Sequence, residues 1–583
     1  MRQVLGGEMV AAMLAAEGVE KVFGIVDGTY LGLYASFEKY GIELVSPRHE
    51  TCAAHMAGAY ARLTGRLGVC IASNGPGVAN ILPGVAVENG EGHRVLLLTS
   101  CRRQGIAYPD RGGTFQYFDQ VAVTRPMTKW SGAAPSFERI PELLRRAFRI
   151  SYRGRPGVVH VDLPENVLNG TFQTSEPLDR APATYRRTEP LGASAAEVSR
   201  LADLLLGAAR PLLHAGTGVV HALAFDELAR VAELLEAPVS TSWGGRGSLP
   251  ETHPLALPTN ALEAVQHARA NADFVLVLGS RLGETDFWGK APYWGKRDEQ
   301  RFAFVDSDEE SLGLNRAAEA CVLADCRALL SALADELARR GGRGPSEARR
   351  AWLASVTELR AGAGATLDAA LEYRGAPMAP AHVPSTLRRL LPDDAIVVAD
   401  GGNTAVWTQF FHQVRRPNTF LATFKFGMLG AGIGQALGAK LALPDRRVVC
   451  VIGDGAMGFH AQELETAVRH RLAVTFVVLC DRQWGMVKLT QQIGLGTMRE
   501  VIGSPREGTI NTDFAEIRFD DLARSMGAHG ARVASPDDLE KTLREAIDHD
   551  GPSVVHVDVD PGMHLWAPGL QLFKDMHQEP AGG

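Results

Sequence analysis

The chain has 583 residues, 45% of them hydrophobic and 22% charged, which is too long for one ordinary domain and apolar enough for several cores. At roughly 150 residues per domain, three or four are expected. The net charge of −7, with no basic cluster, argues against a nucleic-acid partner, and no run approaches the ~18 apolar residues of a membrane span.

From the N-terminus, "MRQVLGGEMVAAMLAAEGVEKVFGI" is broken by Glu8, Glu17 and Glu20 at helical spacing. It reads as an amphipathic helix and not as a signal peptide. Short apolar strands then alternate with helical patterns: 67–73, 93–100, 157–164, 274–280, 395–400, 447–455, 474–481 and 553–560. Runs of Val, Ile and Leu without alternation imply strands buried on both faces, hence parallel sheets covered by helices. The fold class expected is α/β in three domains. Polar, proline-bearing "QTSEPLDRAPATYRRTEPLGAS" (173–194) and glycine-rich "ARRGGRGPSEARR" (338–350) place these domains near 1–180, 190–340 and 365–565, with a loose tail over 566–583. The seven cysteines lie scattered, none in a CxxC pair. They are expected to be buried free thiols of a cytoplasmic protein.

The segments "PGVVHVDLP" (156–164) and "PSVVHVDVD" (552–560) share VVHVD. Either two edge strands of like composition coincide, or the outer domains are related α/β units.

The most informative stretch is "RVVCVIGDGAMGFHAQELETAVRH" (447–470), a strand, a glycine turn and a helix expected from about residue 459. Gly453 and Gly455 permit a sharp turn and a close approach of backbone to ligand, and a helix N-terminus suits a phosphate. Asp454 places a carboxylate in that turn, where it is unfavourable beside a phosphate unless a cation lies between them. Mg²⁺ binds both kinds of oxygen. A second oxygen ligand is expected from a neighbouring strand end, and Asp481 closes the next strand, with 25 residues between it and Gly455.

Strand, GDG, helix, strand and Asp resemble the thiamine diphosphate (ThDP) motif of the family that includes acetolactate synthases, pyruvate oxidases, benzaldehyde lyases and 2-hydroxyacyl-CoA lyases. The resemblance spans nearly the whole chain. It implies two ThDP-binding-type domains, for the pyrimidine and for the diphosphate, flanking a Rossmann-like central domain. It makes Asp454, Asp481 and the Gln483 carbonyl ligands of Mg²⁺. Asp481 stands where Asn is usual, which keeps an oxygen and adds charge. Ala456 replaces a frequent Ser and removes one hydrogen bond to the diphosphate. "GIELVSPRHETCAAHMAGAYARLTGRLGVCIASNGPGVAN" (41–80) resembles the family's strand–RHE–helix segment, and the match makes Glu50 the carboxylate that polarises the aminopyrimidine, with Gly75 in the following cofactor loop. "ADGGNTAVW" (399–407) supplies Gly402 and Asn403 near the diphosphate. "KFGMLGAGIGQALGAK" (425–440) supplies the Gly427 carbonyl and Leu429, the residue that wedges the cofactor into its bent shape. Met486 completes the cofactor set.

The same resemblance offers Gln116 as an active-site glutamine, with Gln120 as its rival under a shifted alignment, and Asp27, Thr29, Tyr30 and Thr490 as substrate contacts. Glycine turns in "LLHAGTGV" (212–219) and "VLVLGSRLGETDFWG" (275–289) are where related central domains carry FAD or an ADP-type ligand. The function expected is a ThDP- and Mg²⁺-dependent enzyme that makes or breaks a C–C bond beside a carbonyl, by 2-oxo acid decarboxylation and carboligation. The alternatives are a 2-hydroxyacyl-CoA or acyloin lyase, a flavin-dependent oxidase, or a non-catalytic nucleotide-binding protein. A small-molecule substrate and a homodimer or homotetramer are implied, with no nucleic acid and no membrane.

Overall fold

The structure, a computed structural model, describes residues 1–107, 112–178, 180–341 and 346–576, the side chains of 365 and 366 apart. It divides into two compact units. The first comprises Met1–Leu191 and Ile433–Pro444, the second Gly192–Gly432 and Asp445–Gly583.

The first unit is built on a six-stranded sheet in the spatial order Glu43–Val45, Lys21–Phe23, Gly68–Ala72, Val95–Cys101, Val158–Pro164, Trp130–Ala133, all parallel. The second unit holds two parallel sheets. One has five strands, Val239–Thr241, Pro211–Ala215, Phe274–Leu278, Arg301–Asp306 and Ala320–Leu323. The other has six, in the order Phe420–Ala422, Ile396–Asp400, Val448–Gly453, Val474–Cys480, Ser553–Asp558, His529–Val533. The long strands are buried along their length, as unalternated apolar runs require. Counted in chain order, both six-stranded sheets read 2-1-3-4-6-5. The VVHVD segments occupy the same place in each, and that place is interior. The coincidence of edge strands is therefore ruled out, and the two outer domains share one topology.

The N-terminus departs from a single amphipathic helix. Arg2–Leu5 is a strand paired antiparallel with Thr171–Thr174, and the helix is confined to Gly6–Ala16. Glu17, read as a polar helix position, is buried against Tyr185 and Arg186. The glycine-rich link at 338–350 is helical up to Arg339 and again from Glu347; residues 342–345 lie outside the described residues. The tail is not loose throughout. Leu570–Met576 is a helix, its Phe573 stacked on Trp243 of the central domain. Residues 577–583 lie outside the described residues.

Two packing arrangements hold the helices that carry the candidate site residues. Helix Glu50–Thr64 lies so close to helix Pro76–Glu91 that a Cβ at Gly58 would overlap the Glu88 carboxylate, and one at Gly84 would come within 2.6 Å of the Thr51 carbonyl oxygen. On its other side, a Cβ at Gly434 would meet His55 at 2.7 Å. In the second unit, Arg246 and Glu251 form a buried pair that closes on the end of helix Gly402–Phe411. Arg246 donates to the His412 carbonyl (2.6 Å), and Glu251 accepts from the Val414 N–H (2.7 Å).

All seven cysteines are free thiols. Cys321 is exposed and Cys101 half-buried, against the expectation of burial; the others are buried. No described helix is long and apolar enough to cross a membrane.

Candidate active site

Parallel pairing sets Gly453 opposite Leu479, so Asp454 and Asp481, just past this pair, leave adjacent strands at the same end of the sheet. The helix starts at Asp454 itself and runs to His460, five residues earlier than the sequence pattern suggests. Asp454 accepts from the backbone N–H groups of Gly455 (2.8 Å) and Arg482 (2.7 Å). Burial first, and then the charge of Asp481, push its pKa up to about 7. Asp481 is buried and accepts from His564 Nδ1 (2.6 Å) and Gln483 Nε2 (3.1 Å). His564 also touches Thr404 Oγ1 at 3.1 Å. Two carboxylates held close in a buried place repel one another, and a divalent cation is the natural remedy.

Both aspartates border a cleft of about 290 Å³. Its lining also contains Gly402, Asn403, Gly427, Leu429, Gly453, Gly455, Ala456, Gln483 and Met486, the cofactor and metal candidates of this half of the chain. The fit to a diphosphate and its metal rests on two observations. The Asn403 side chain is buried, yet neither its Oδ1 nor its Nδ2 has a hydrogen-bond partner, and buried amides are seldom left so without a ligand. Gly427 has φ +70 and nothing within 4 Å of where a Cβ would stand, so backbone there faces open space. The first N–H groups of helix Gly402–Phe411 have no intrahelical partner. Gly455 allows the Trp484 ring to come close, since a Cβ there would lie 2.7 Å from it.

Three contributors to this site escape sequence reasoning. His564 lies 83 residues beyond Asp481, so no local pattern links them. Asp400 ends its strand and accepts from the Gly401 and Gly432 N–H groups, which ties the turn at Gly402 to the start of the helix after Leu429. Phe573 comes from the tail. A strand-terminal Asp followed by two glycines was the available signal for Asp400. Thr490 lies outside the cleft lining. Its hydroxyl donates to the Met486 carbonyl and accepts from Lys574 Nζ (2.7 Å), one helical turn beyond Met486.

In the first unit, Glu50 is the buried first residue of its helix, and its carboxylate accepts from Asn80 Nδ2 (3.1 Å). Gly75 has φ +67 and packs on the backbone of Gln116, itself exposed at φ +52. Gln120 is buried. It accepts from the Gly75 N–H and donates to the Ser100 carbonyl and Asp162. Gln120 thus spends its side-chain amide on holding the Gly75 loop, whereas Gln116 is exposed. Tyr30 is also corrected. It is fully buried, its hydroxyl donating to the carbonyls of Ala72 and Leu98. Asp27 caps the turn Gly28–Tyr30 and accepts from Thr29, whose hydroxyl reaches Ser100. Both remain partly exposed.

Glycine turns in the central domain have a packing explanation. Cβ atoms at Gly216 and Gly218 would collide with Gly279, so these glycines let two strand ends meet.

An acidic, glycine-walled cleft at the strand ends of a parallel sheet lies where open α/β sheets bind their ligands. The chain matches "Thiamine pyrophosphate enzyme, N-terminal TPP binding domain" over residues 5–123, the central domain of that family over 198–333 and its C-terminal TPP binding domain over 400–557. It is 30% identical to the acetolactate synthase isozyme 3 large subunit of Escherichia coli, over 97% of this chain and 96% of that one. It is 29% identical to a probable acetolactate synthase large subunit of Methanocaldococcus jannaschii, over 96% and 93%. The identity to a sulfoacetaldehyde acetyltransferase of Castellaniella defragrans is 30%, over 94% and 91%. The chain belongs to the thiamine pyrophosphate enzymes, and is a ThDP-dependent enzyme of the transferase and lyase class.

Proposed function

We propose that this enzyme decarboxylates a 2-oxo acid and joins the remaining acyl unit to a second carbonyl compound, in the manner of acetolactate synthase, with ThDP held through Mg²⁺. The observation that carries the reading is the pair of half-buried Asp454 and buried Asp481 facing a cleft that also holds the unpartnered amide of Asn403. Likeness to acetolactate synthase subunits along almost the whole chain supports the reaction class.

Asp454, Asp481 and the Gln483 carbonyl would hold the metal. Asn403 and the first N–H groups of its helix would hold the diphosphate. When bound, ThDP supplies an electron sink next to a carbonyl carbon. Glu50, at a buried helix start, would hold a proton at the pyrimidine ring. His564, at the cleft wall, fixes the Asp481 carboxylate, and Asp400, also in the wall, holds the turn at Gly402. Leu429, Met486 and Phe573 wall the cleft with apolar surface that excludes water. We propose further that the enzyme works as a homodimer or homotetramer, as the family resemblance implies. Packing accounts for Gly216, Gly218 and Gly279 of the central domain.

The test is to incubate the enzyme, ThDP and Mg²⁺ with a panel of 2-oxo acids and measure CO₂ release and acyloin products by mass spectrometry. CO₂ together with a new C–C bonded product supports the proposal. Turnover only of 2-hydroxyacyl-CoA compounds would replace it with the lyase alternative.

A further inference from the structure

The second VVHVD segment carries a cluster the proposed reaction does not use. His556, on strand Ser553–Asp558, is 1% exposed, and neither ring nitrogen has a hydrogen-bond partner. Its counterpart His160 is equally buried, but both its nitrogens are bonded, Nε2 to Thr99 (2.7 Å) and Nδ1 to Thr124 (2.8 Å) and Ser131 (2.7 Å). The same motif at the same place in the same sheet order therefore satisfies its imidazole in one domain and leaves it open in the other. Buried polar groups left open call for an explanation.

The surroundings of His556 supply one. Its Nε2 lies 3.4 Å from Asp558 Oδ1. With the Glu516 carboxylate added, one ligand atom from each of the three residues falls within 4.8 Å of the others. Strand pairing places Cys480 opposite Asp558. A cavity of about 20 Å³, bordered by Cys480, Glu516, His556 and Asp558, has room for a single ion or water. Arg532 donates to both Asp558 oxygens (2.8 Å each) and to Glu516 Oε1 (2.6 Å), which holds the carboxylates in place. Two carboxylates against one guanidinium leave the cluster net negative. Burial, the largest influence on His556, lowers its pKa and so favours the neutral form that ligates metals.

We propose that Glu516, His556 and Asp558 form a second cation site, distinct from Asp454 and Asp481, that takes a divalent first-row transition metal of the zinc kind. An imidazole nitrogen with carboxylate oxygens, and a thiol at the rim, suits such an ion and not Mg²⁺, which prefers oxygen alone. The metal completes His556 and locks the segment bearing Glu516 to the sheet.

Asp454 borders this cavity as well as the main cleft, so the test is run with ThDP present and Mg²⁺ saturating. The full chain, stripped of transition metals, is titrated with Zn²⁺ against a chromophoric chelator, and bound metal is counted by mass spectrometry. One Zn²⁺ per chain is expected. His556→Gln and Glu516→Gln should each weaken it by more than the ~10–100-fold that losing a merely supporting group costs. Glu516 is exposed, so its variant keeps the test decisive if His556→Gln does not fold. Absence of tight Zn²⁺ from the wild type, or wild-type affinity in Glu516→Gln, overturns the proposal.

Discussion

At the scale of single residues, a carboxylate in a phosphate-binding turn is informative because it is unfavourable there without a cation. That is why Asp454 and Asp481 were legible in the sequence. Their supports were not: His564 and Phe573 arrive from far along the chain, and no pattern marks an amide such as Asn403 as unpartnered before the fold places it. Glu50 stands on the family resemblance, and its test is chemical. Glu50→Gln should keep ThDP binding while C2–H exchange of the bound cofactor, measured by NMR in deuterated water, slows by ~10²–10⁴-fold. Exchange at the wild-type rate would make Glu50 a helix-end charge only.

His160 carries the pH prediction. Burial pushes its pKa down to about 3, whereas a histidine in an unfolded chain titrates near ~6.5. Between those values the unfolded state binds the extra proton, so the stabilisation is complete above pH ~6.5 and is lost as pH falls. Nearby Asp162 opposes this. Burial raises it to about 6, so what it contributes is present at low pH and lost as pH rises toward 6. The histidine window is the wider of the two. The urea midpoint of the wild type should therefore fall more steeply from pH 6.5 to 4 than that of His160→Gln. Parallel slopes would mean that His160 does not titrate between folded and unfolded states.

At the scale of elements, long Val, Ile and Leu strands announce themselves, because burial on both faces demands an unbroken apolar run. Lys21–Phe23 and Phe420–Ala422 were not foreseen; three residues carry no period, and their place depends on the neighbouring strand. The close pairing of helices Glu50–Thr64 and Pro76–Glu91 was equally hidden, since Gly58 reads as a weak helix residue until Glu88 is found against it. Glu88 is fully buried and bonded to His55 Nδ1 (2.7 Å) and His93 Nδ1 (2.5 Å), so it cannot move aside. Gly58→Ala should cost about 1–3 kcal/mol in chemical denaturation. A variant as stable as the wild type would show that this helix pair relaxes freely.

At the scale of the whole molecule, the repeated VVHVD was the one trace of internal kinship that the sequence offered, and the shared strand order of the two six-stranded sheets is what it pointed to. The outer domains differ in what their strand ends carry: a hydrogen-bonded polar network around Asp162 in one, an acidic cleft in the other. The assignment of function stands or falls on that cleft. Trp484 lines it, so titrating ThDP while monitoring tryptophan fluorescence, with Mg²⁺ and then with EDTA, tests the claim directly in the wild type, Asp454→Ala and Asp481→Asn. Saturable binding that requires Mg²⁺, persists in Asp481→Asn and vanishes in Asp454→Ala is the result predicted. Equal affinity with and without the metal, or unchanged binding in Asp454→Ala, would contradict it.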